Sequence, residues 1–193
     1  IRTLLPEVQP YARALYHSCA KQGINIEVTS GTRTYEEQNE LYAQGRTKSG
    51  TKVTNAKGGY SNHNFGVAFD VTIFKDGQPV WESPAYKAIG AIGRGMGLTW
   101  GGDWQSISDE PHFELKPKWA RDLSESDMLA GLRERKAAGK PAFAGGAKTA
   151  PATTKAAPQA AAQESQEQAP EEQAAPEQTP TPTTSTAPKL ASL

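Results

Sequence analysis

Residues 61–70 read SNHNFGVAFD, and residues 109–112 read DEPH. These two segments hold two of the three histidines of the chain, and each segment also carries a carboxylate. Residues 67–74 are mostly apolar and β-branched, which predicts a buried strand. Asp70 lies inside that strand, where an unpaired carboxylate costs several kcal/mol. The sequence therefore requires a cation, a cage of hydrogen bonds or a proton next to Asp70.

Two imidazoles and one carboxylate are a typical donor set for zinc. A catalytic zinc ion is held by three protein ligands, and its fourth position is left to water. A histidine taken alone is more often an ordinary surface or core residue, so the prediction depends on the joint pattern. We expect His63, Asp70 and His112 to bind one zinc ion. Asp109 is then left over as a base.

The pattern Ser-x-His-x-x-Gly-x-Ala-x-Asp, followed by acid-x-x-His, resembles the M15 metallopeptidases, which cut the peptide stems of bacterial peptidoglycan. The resemblance extends over about residues 24–119. It implies that His63, Asp70 and His112 are the zinc ligands. It also implies that Asp109 is the general base, and that Arg33 orients the substrate or stabilises the oxyanion.

The resemblance leaves three functions open. Asp109 at the base position is more typical of the endopeptidase branch, found in phage endolysins and secreted autolysins, than of the carboxypeptidases and dipeptidases, which more often carry Glu. An endopeptidase that cuts between L-Ala and D-Glu is therefore favoured over a D-Ala-D-Ala carboxypeptidase or dipeptidase. A non-catalytic zinc-bearing binding module, as in the hedgehog domain, is the third possibility. For the substrate itself we expect contacts with Gln38, Ser61 and Trp104.

Hydrophobic periodicity and capping residues predict a mixture of helices and strands. The resemblance implies an α+β fold, a small antiparallel sheet flanked by helices as in hedgehog and D-Ala-D-Ala peptidase domains. Glu114 shares a strand face with His112 and is expected to hold its ring. Trp100 is expected in the core, Trp104 nearer the cleft, and the polar loop 46–60 is expected to be mobile. The predicted helices cover about residues 4–22, 34–45, 83–96 and 124–140, and the predicted strands cover about 24–28, 67–74, 80–81, 98–100 and 111–115.

Composition limits the possible partners. Acidic and basic residues balance at 21 each, which argues against nucleic-acid binding. No apolar run reaches the length of about 20 residues that a membrane span needs, and Cys19 is expected to be a buried small hydrophobe.

We predict a monomeric peptidase domain at 1–140 that acts on peptidoglycan in the cell wall, the periplasm or outside the cell. The Ala-, Pro-, Gln-, Glu- and Thr-rich residues 141–193 are predicted to be a disordered tail. Because the chain begins with Ile1, we expect its original N-terminus to have been removed or omitted.

Overall fold

The computed structural model describes residues 1–105 and 108–144. Within these residues the chain forms a five-stranded antiparallel sheet with four α-helices, so the predicted α+β class is confirmed. The elements, in chain order, are α1 (Gln9–Lys21), β1 (Ile26–Ser30), α2 (Tyr35–Ala43), a 3-10 turn (Asn62–Phe65), β2 (Ala68–Lys75), β3 (Gln78–Val80), α3 (Ala85–Gly95), β4 (Thr99–Trp100), β5 (His112–Glu114) and α4 (Glu125–Ala137).

The sheet is built around β2. Its strand order is β1-β2-β5-β4, and β3 returns from β2 through a tight turn at Asp76 and Gly77, both of which have positive φ angles. In the register of the sheet, Asp70 of β2 lies opposite Ser30 on one side and His112 on the other. Every pairing in this sheet is antiparallel. The centre of the sheet therefore carries the acid that the sequence singled out.

Two helices begin later than the sequence predicted. Helix α1 begins at Gln9 instead of near Pro6, and Pro10 occupies its first turn, where the missing N–H is not needed. Helix α3 begins at Ala85, although Ser83 and the following proline predicted a start there. The Ser83 hydroxyl accepts a hydrogen bond from the Ala85 N–H, so the predicted cap is present just outside the helix.

The other two helices begin where their capping residues predicted. Thr34 and Glu37 form a reciprocal capping box at the start of α2. The Ser124 hydroxyl accepts from the Asp127 N–H at the start of α4. Helices α1 and α4 bury apolar residues in two core clusters, which include Ala12, Leu15 and Cys19 of α1, Val8 just before it, and Met128, Leu129 and Leu132 of α4.

Helix α3 approaches the sheet closely because two of its residues lack a side chain. A Cβ placed on Gly90 would lie 2.4 Å from the ring of Trp100, and one on Gly93 would lie 2.5 Å from the ring of Phe113. Both rings are buried in the core. The glycines of α3 therefore allow this helix to pack closely on the sheet.

The described part of the chain ends shortly after α4. Ala142 and Phe143 still pack against the core clusters, although the sequence assigned them to the tail. The rest of the predicted tail, residues 145–193, lies outside the described residues. None of the described helices is long and apolar enough to cross a membrane.

We expect the substitution Gly90→Ala to lower the free energy of unfolding by about 1–3 kcal/mol, because the added methyl group overpacks the contact with Trp100. The matched control is Gly95→Ala in the same helix, where a Cβ would meet no described atom within 4 Å. That change should leave stability unaltered or raise it by about 0.4–1 kcal/mol. Urea denaturation followed by circular dichroism measures both values. Equal stabilities of the two variants would contradict the packing argument.

Candidate active site

The register of the sheet brings two of the three predicted ligands together. Asp70 on β2 and His112 on β5 are directly paired residues, so their side chains leave the same face of the sheet. Directly opposite residues of antiparallel strands have Cβ atoms about 4.5–5.5 Å apart. Pairing of β2 with β5 is therefore sufficient to place a carboxylate beside an imidazole.

The third predicted ligand, His63, comes from the 3-10 turn before β2. Gly66 ends this turn with a φ of 69°, a conformation that glycine adopts without strain. The Arg33 N–H donates to the His63 carbonyl at 3.0 Å, and the Asn64 amide donates to the carbonyls of Arg33 and Thr34 at 3.1 Å each. The turn is thus fixed to the junction between β1 and α2, and His63 is held over the sheet.

The three donor atoms form a nearly equilateral triangle. His63 Nε2 and His112 Nδ1 each lie 3.2 Å from Asp70 Oδ1, and the two nitrogens lie 3.3 Å apart. A tetrahedral zinc ion bound at about 2.0–2.1 Å separates its ligand atoms by about 3.3–3.4 Å. These donors also form the only cluster of three or more His, Cys, Asp or Glu residues with metal-site spacing in residues 1–105 and 108–144. The prediction of one zinc ion held by these side chains is confirmed by their chemistry and spacing.

The second nitrogen of each imidazole is held by the protein. His63 Nδ1 lies 2.8 Å from the carbonyl oxygen of Gly31, at the end of β1, and His112 Nε2 lies 3.5 Å from Glu114 Oε2. Such contacts fix the tautomer and the ring orientation of a metal-binding histidine. Glu114 therefore has the position beside His112 that the strand pattern predicted.

The charges of this cluster depend on one another. Burial alone would raise the pKa of Asp70, but hydrogen bonds with His112 and His63 hold it well below its usual value. Burial alone would lower the pKa of His112, whereas its hydrogen bonds to Asp70 and Glu114 raise it to about 10. A metal ion would have to compete with a proton for the Nδ1 of His112.

The two predicted catalytic residues lie next to this cluster. Arg33 Nη2 is 3.6 Å from Asp70 Oδ2, on the side of the carboxylate away from the histidines. The Asp109 N–H donates to the Gly101 carbonyl, and the Asp109 carbonyl accepts from the His112 N–H. This tight turn keeps Asp109 near His112. Burial and, to a smaller extent, the charge of Asp70 raise the pKa of Asp109, although His112 opposes the shift.

The two tryptophans occupy the positions expected from the sequence. Trp100 is buried in the core, and its indole N–H donates to the Glu110 carbonyl at 2.7 Å. Trp104 is half-buried, and its ring centroid lies 4.9 Å from that of His112. An aromatic wall therefore stands directly beside the metal cluster, while a contact between Trp104 and the substrate stays a prediction.

The other two residues of the predicted substrate-binding set have different surroundings. Gln38 is fully buried, and its amide donates to the Ala56 carbonyl at 2.9 Å and to the Thr54 hydroxyl at 3.3 Å. It thereby ties the loop 46–60 to α2. Ser61 is half-buried at the start of the 3-10 turn, and its carbonyl accepts from the Asn64 N–H. Direct contacts of Gln38 and Ser61 with a substrate stay predictions.

The sequence did not identify three polar residues that support the cluster. Asn64 fixes the turn of His63, as described above, and Asn62 donates to Glu114 and to Glu125 of α4. Both asparagines are sequence neighbours of the predicted ligand His63. This adjacency is the one feature of the sequence that could have identified them. Glu125 is separated from the motif by a strand and a loop, so only the packing of α4 reveals it.

Comparison with known proteins identifies the family. Residues 54–115 match the sequence model of an M15 peptidase family described as D-alanyl-D-alanine carboxypeptidase. The chain is 40% identical over 124 residues to the peptidoglycan L-alanyl-D-glutamate endopeptidase CwlK of Bacillus subtilis strain 168, a match that covers 59% of this chain and 74% of that protein.

Two solved structures are also similar to this one. The Serratia marcescens L-Ala D-Glu endopeptidase ChiX is 27% identical with a TM-score of 0.45, over 59% of this chain and 81% of that chain. The LD-carboxypeptidase LdcB is 26% identical with a TM-score of 0.48, over 64% and 71%. The match to CwlK at 40% identity, together with the family model over the segment that carries all three metal ligands, shows that the chain belongs to the M15 family of metallopeptidases.

Proposed function

We propose that this chain is a zinc-dependent endopeptidase that hydrolyses the bond between L-Ala and D-Glu in the stem peptide of peptidoglycan. The main observation is a centre of three protein donors, His63, Asp70 and His112, with a spare carboxylate and a guanidinium group beside it. A structural zinc ion is usually closed by four protein ligands, whereas a catalytic one keeps a position open. The similarity to CwlK supports the choice of bond. Action at the cell wall as a monomer is part of the proposal.

The metal and the protein have separate tasks in this reaction. When bound, zinc supplies a Lewis acid that polarises the scissile carbonyl and makes water nucleophilic at neutral pH. The Asp109 carboxylate accepts the proton of the attacking water and then donates it to the leaving amine. Arg33 faces the cluster from the side of Asp70 Oδ2, where its charge stabilises the negative oxygen that develops during attack.

The supporting residues keep these groups aligned. The carbonyl of Gly31 and the carboxylate of Glu114 hold the two imidazole rings, so both donor nitrogens point toward Asp70. The Trp104 ring covers one side of His112. A wall of this kind excludes water from the charged centre and strengthens the electrostatic contributions of Asp109 and Arg33.

A D-Ala-D-Ala carboxypeptidase is the second candidate, because the description of the matching family model names that activity. Such an enzyme must bind the free C-terminal carboxylate of its substrate, and a cation next to the metal would serve. Two cations of the loop 46–60, Lys52 and Lys57, are exposed, and Lys57 Nζ lies 5.3 Å from the centre of the Tyr42 ring. The similarity to CwlK is therefore the reason for preferring the endopeptidase.

Digestion of purified peptidoglycan separates the candidate functions. We expect new N-terminal D-Glu residues, detected by mass spectrometry of the released fragments, because the proposed enzyme cuts within the stem. Chelator-treated protein should be inactive and should recover when zinc is added back. Released D-Ala would favour the carboxypeptidase, and a lack of new ends with zinc bound would favour a binding module.

Asp109→Asn should lower kcat by about 10²–10⁴-fold, because the general base is removed. The same variant should keep its zinc, since the three donors are unchanged. His63→Ala should lose both zinc and activity. Asp122→Asn, an exposed carboxylate close to α4, is the control and should behave like the parent chain. Metal analysis and hydrolysis of a stem-peptide substrate report the two properties, and loss of zinc in Asp109→Asn would count against its role as a base.

The pH profile should report the raised pKa of Asp109. A base must be deprotonated, so activity is present above its pKa and is lost as the pH falls through it. Because burial raises the pKa of Asp109, the acid limb of kcat/KM should lie above the ordinary carboxyl value of about 4. Initial rates between pH 4 and 8 measure the limb. An acid limb at the ordinary value would show that Asp109 is not shifted in the working enzyme.

A further inference from the structure

We propose that Glu125, in the first turn of α4, is a positioning residue for the zinc ligand His112 and acts on it through Asn62 and Glu114. This inference rests on the proposed function only in that it concerns the same metal centre. It makes the N-terminus of α4, which follows the segment matched by the family model, a part of that centre.

The first link is the contact between Glu114 and His112. Glu114 is 0% exposed, and its Oε2 lies 3.5 Å from His112 Nε2. A buried carboxylate needs hydrogen-bond donors to remain charged and fixed in position. The donor that reaches Glu114 Oε2 from the protein, apart from the imidazole, is the amide of Asn62. The orientation of Glu114, and with it that of the His112 ring, therefore depends on Asn62.

The second link is the shared amide group. Asn62 is 6% exposed, and its Nδ2 donates to Glu114 Oε2 and to Glu125 Oε1. An amide nitrogen carries two hydrogens, so one is available for each carboxylate. The opposite amide orientation would turn the oxygen of Asn62 toward two carboxylates, which is unfavourable. Glu125 thus fixes both the position and the orientation of the amide that holds Glu114.

The third link is a cation that lets the two carboxylates lie close together. Lys116 Nζ is 3.4 Å from Glu125 Oε2 and 3.9 Å from Glu114 Oε1. Burial, followed by the negative charge of Glu114, raises the pKa of Glu125, which is the expected effect of two acids in one polar cluster. Lys116 offsets this repulsion. The cluster of Asn62, Glu114, Lys116 and Glu125 therefore behaves as one unit between α4 and His112.

A simpler role for Glu125 has to be separated from this one. An acidic residue in the first turn of a helix interacts favourably with the helix dipole, and Glu125 has that position. Asp127 lies in the same first turn, is exposed and accepts a hydrogen bond from the Ser124 hydroxyl. It shares the helix-dipole effect but is not among the partners of Asn62. Asp127→Ala is therefore the matched control.

The test measures zinc affinity directly, by competition with a chromophoric chelator, on the full chain. We expect Glu125→Ala to weaken zinc binding by about tenfold, the lower end of the range for residues that support metal ligands. Glu125→Gln keeps an acceptor oxygen for Asn62 and should recover most of this loss. Asp127→Ala should lower the melting temperature without changing the zinc affinity. The absorption spectrum of the cobalt-substituted protein should change in Glu125→Ala but not in Asp127→Ala, because only the first change releases the His112 ring.

A second variant protects the test against a folding defect. If Glu125→Ala does not fold, Glu125→Asp keeps the charge but withdraws the carboxylate from Asn62 by one methylene, and it should show the same loss of affinity. Unchanged zinc affinity in folded Glu125→Ala, or in Glu125→Asp if the alanine variant does not fold, would overturn the proposal, as would an equal loss in Asp127→Ala. These measurements use no peptide substrate. A wild-type chain that binds zinc but leaves peptidoglycan intact would instead refute the proposed function alone.

Discussion

The pairing of Asp70 with His112 between β2 and β5 is the constraint on which the site depends. A shift of one residue in this register would turn one of the two side chains to the opposite face of the sheet. The register is held by the apolar residues next to the pair, since Phe69 lies opposite Phe113 and their rings stack 5.9 Å apart. Burial of these aromatic rings thus specifies the spacing of the metal ligands, although the rings themselves make no contact with the metal.

A polar cluster inside such a core is stable only if its remaining donors and acceptors are satisfied. The loops that meet at the end of β2 provide several of these partners. Gly31 accepts from the ring of His63, Gly101 accepts from the backbone of Asp109, and Arg33 pairs with the outer oxygen of Asp70. Each of these loops leaves the sheet next to a strand that pairs with β2 or with β5. The sheet therefore determines both the ligands and the groups that orient them.

The sequence predicted those parts of the site that have a local signal. An acid within an apolar strand, a histidine two residues before a second acid and a capping box are visible in short windows, and they identified Asp70, His112, Glu114 and α2. Contacts across long separations have no such signal. Glu125 reaches Asn62 because Met128 and Leu132 bury one side of α4 against the core, and this packing follows from the whole fold. The start of α1 was predicted too early, because both Pro6 and Pro10 are suited to the first turn of a helix.

The two asparagines around His63 explain how a four-residue turn can hold a metal ligand firmly. In a 3-10 helix with about three residues per turn, side chains two positions apart point in clearly different directions. Asn64 accordingly reaches the backbone at the start of α2, whereas Asn62 reaches Glu114 and α4. His63 lies between these anchors and points toward the sheet. A rotation of the turn in either direction would break one set of amide hydrogen bonds, so the imidazole is held from both sides with its Nε2 facing Asp70 and His112.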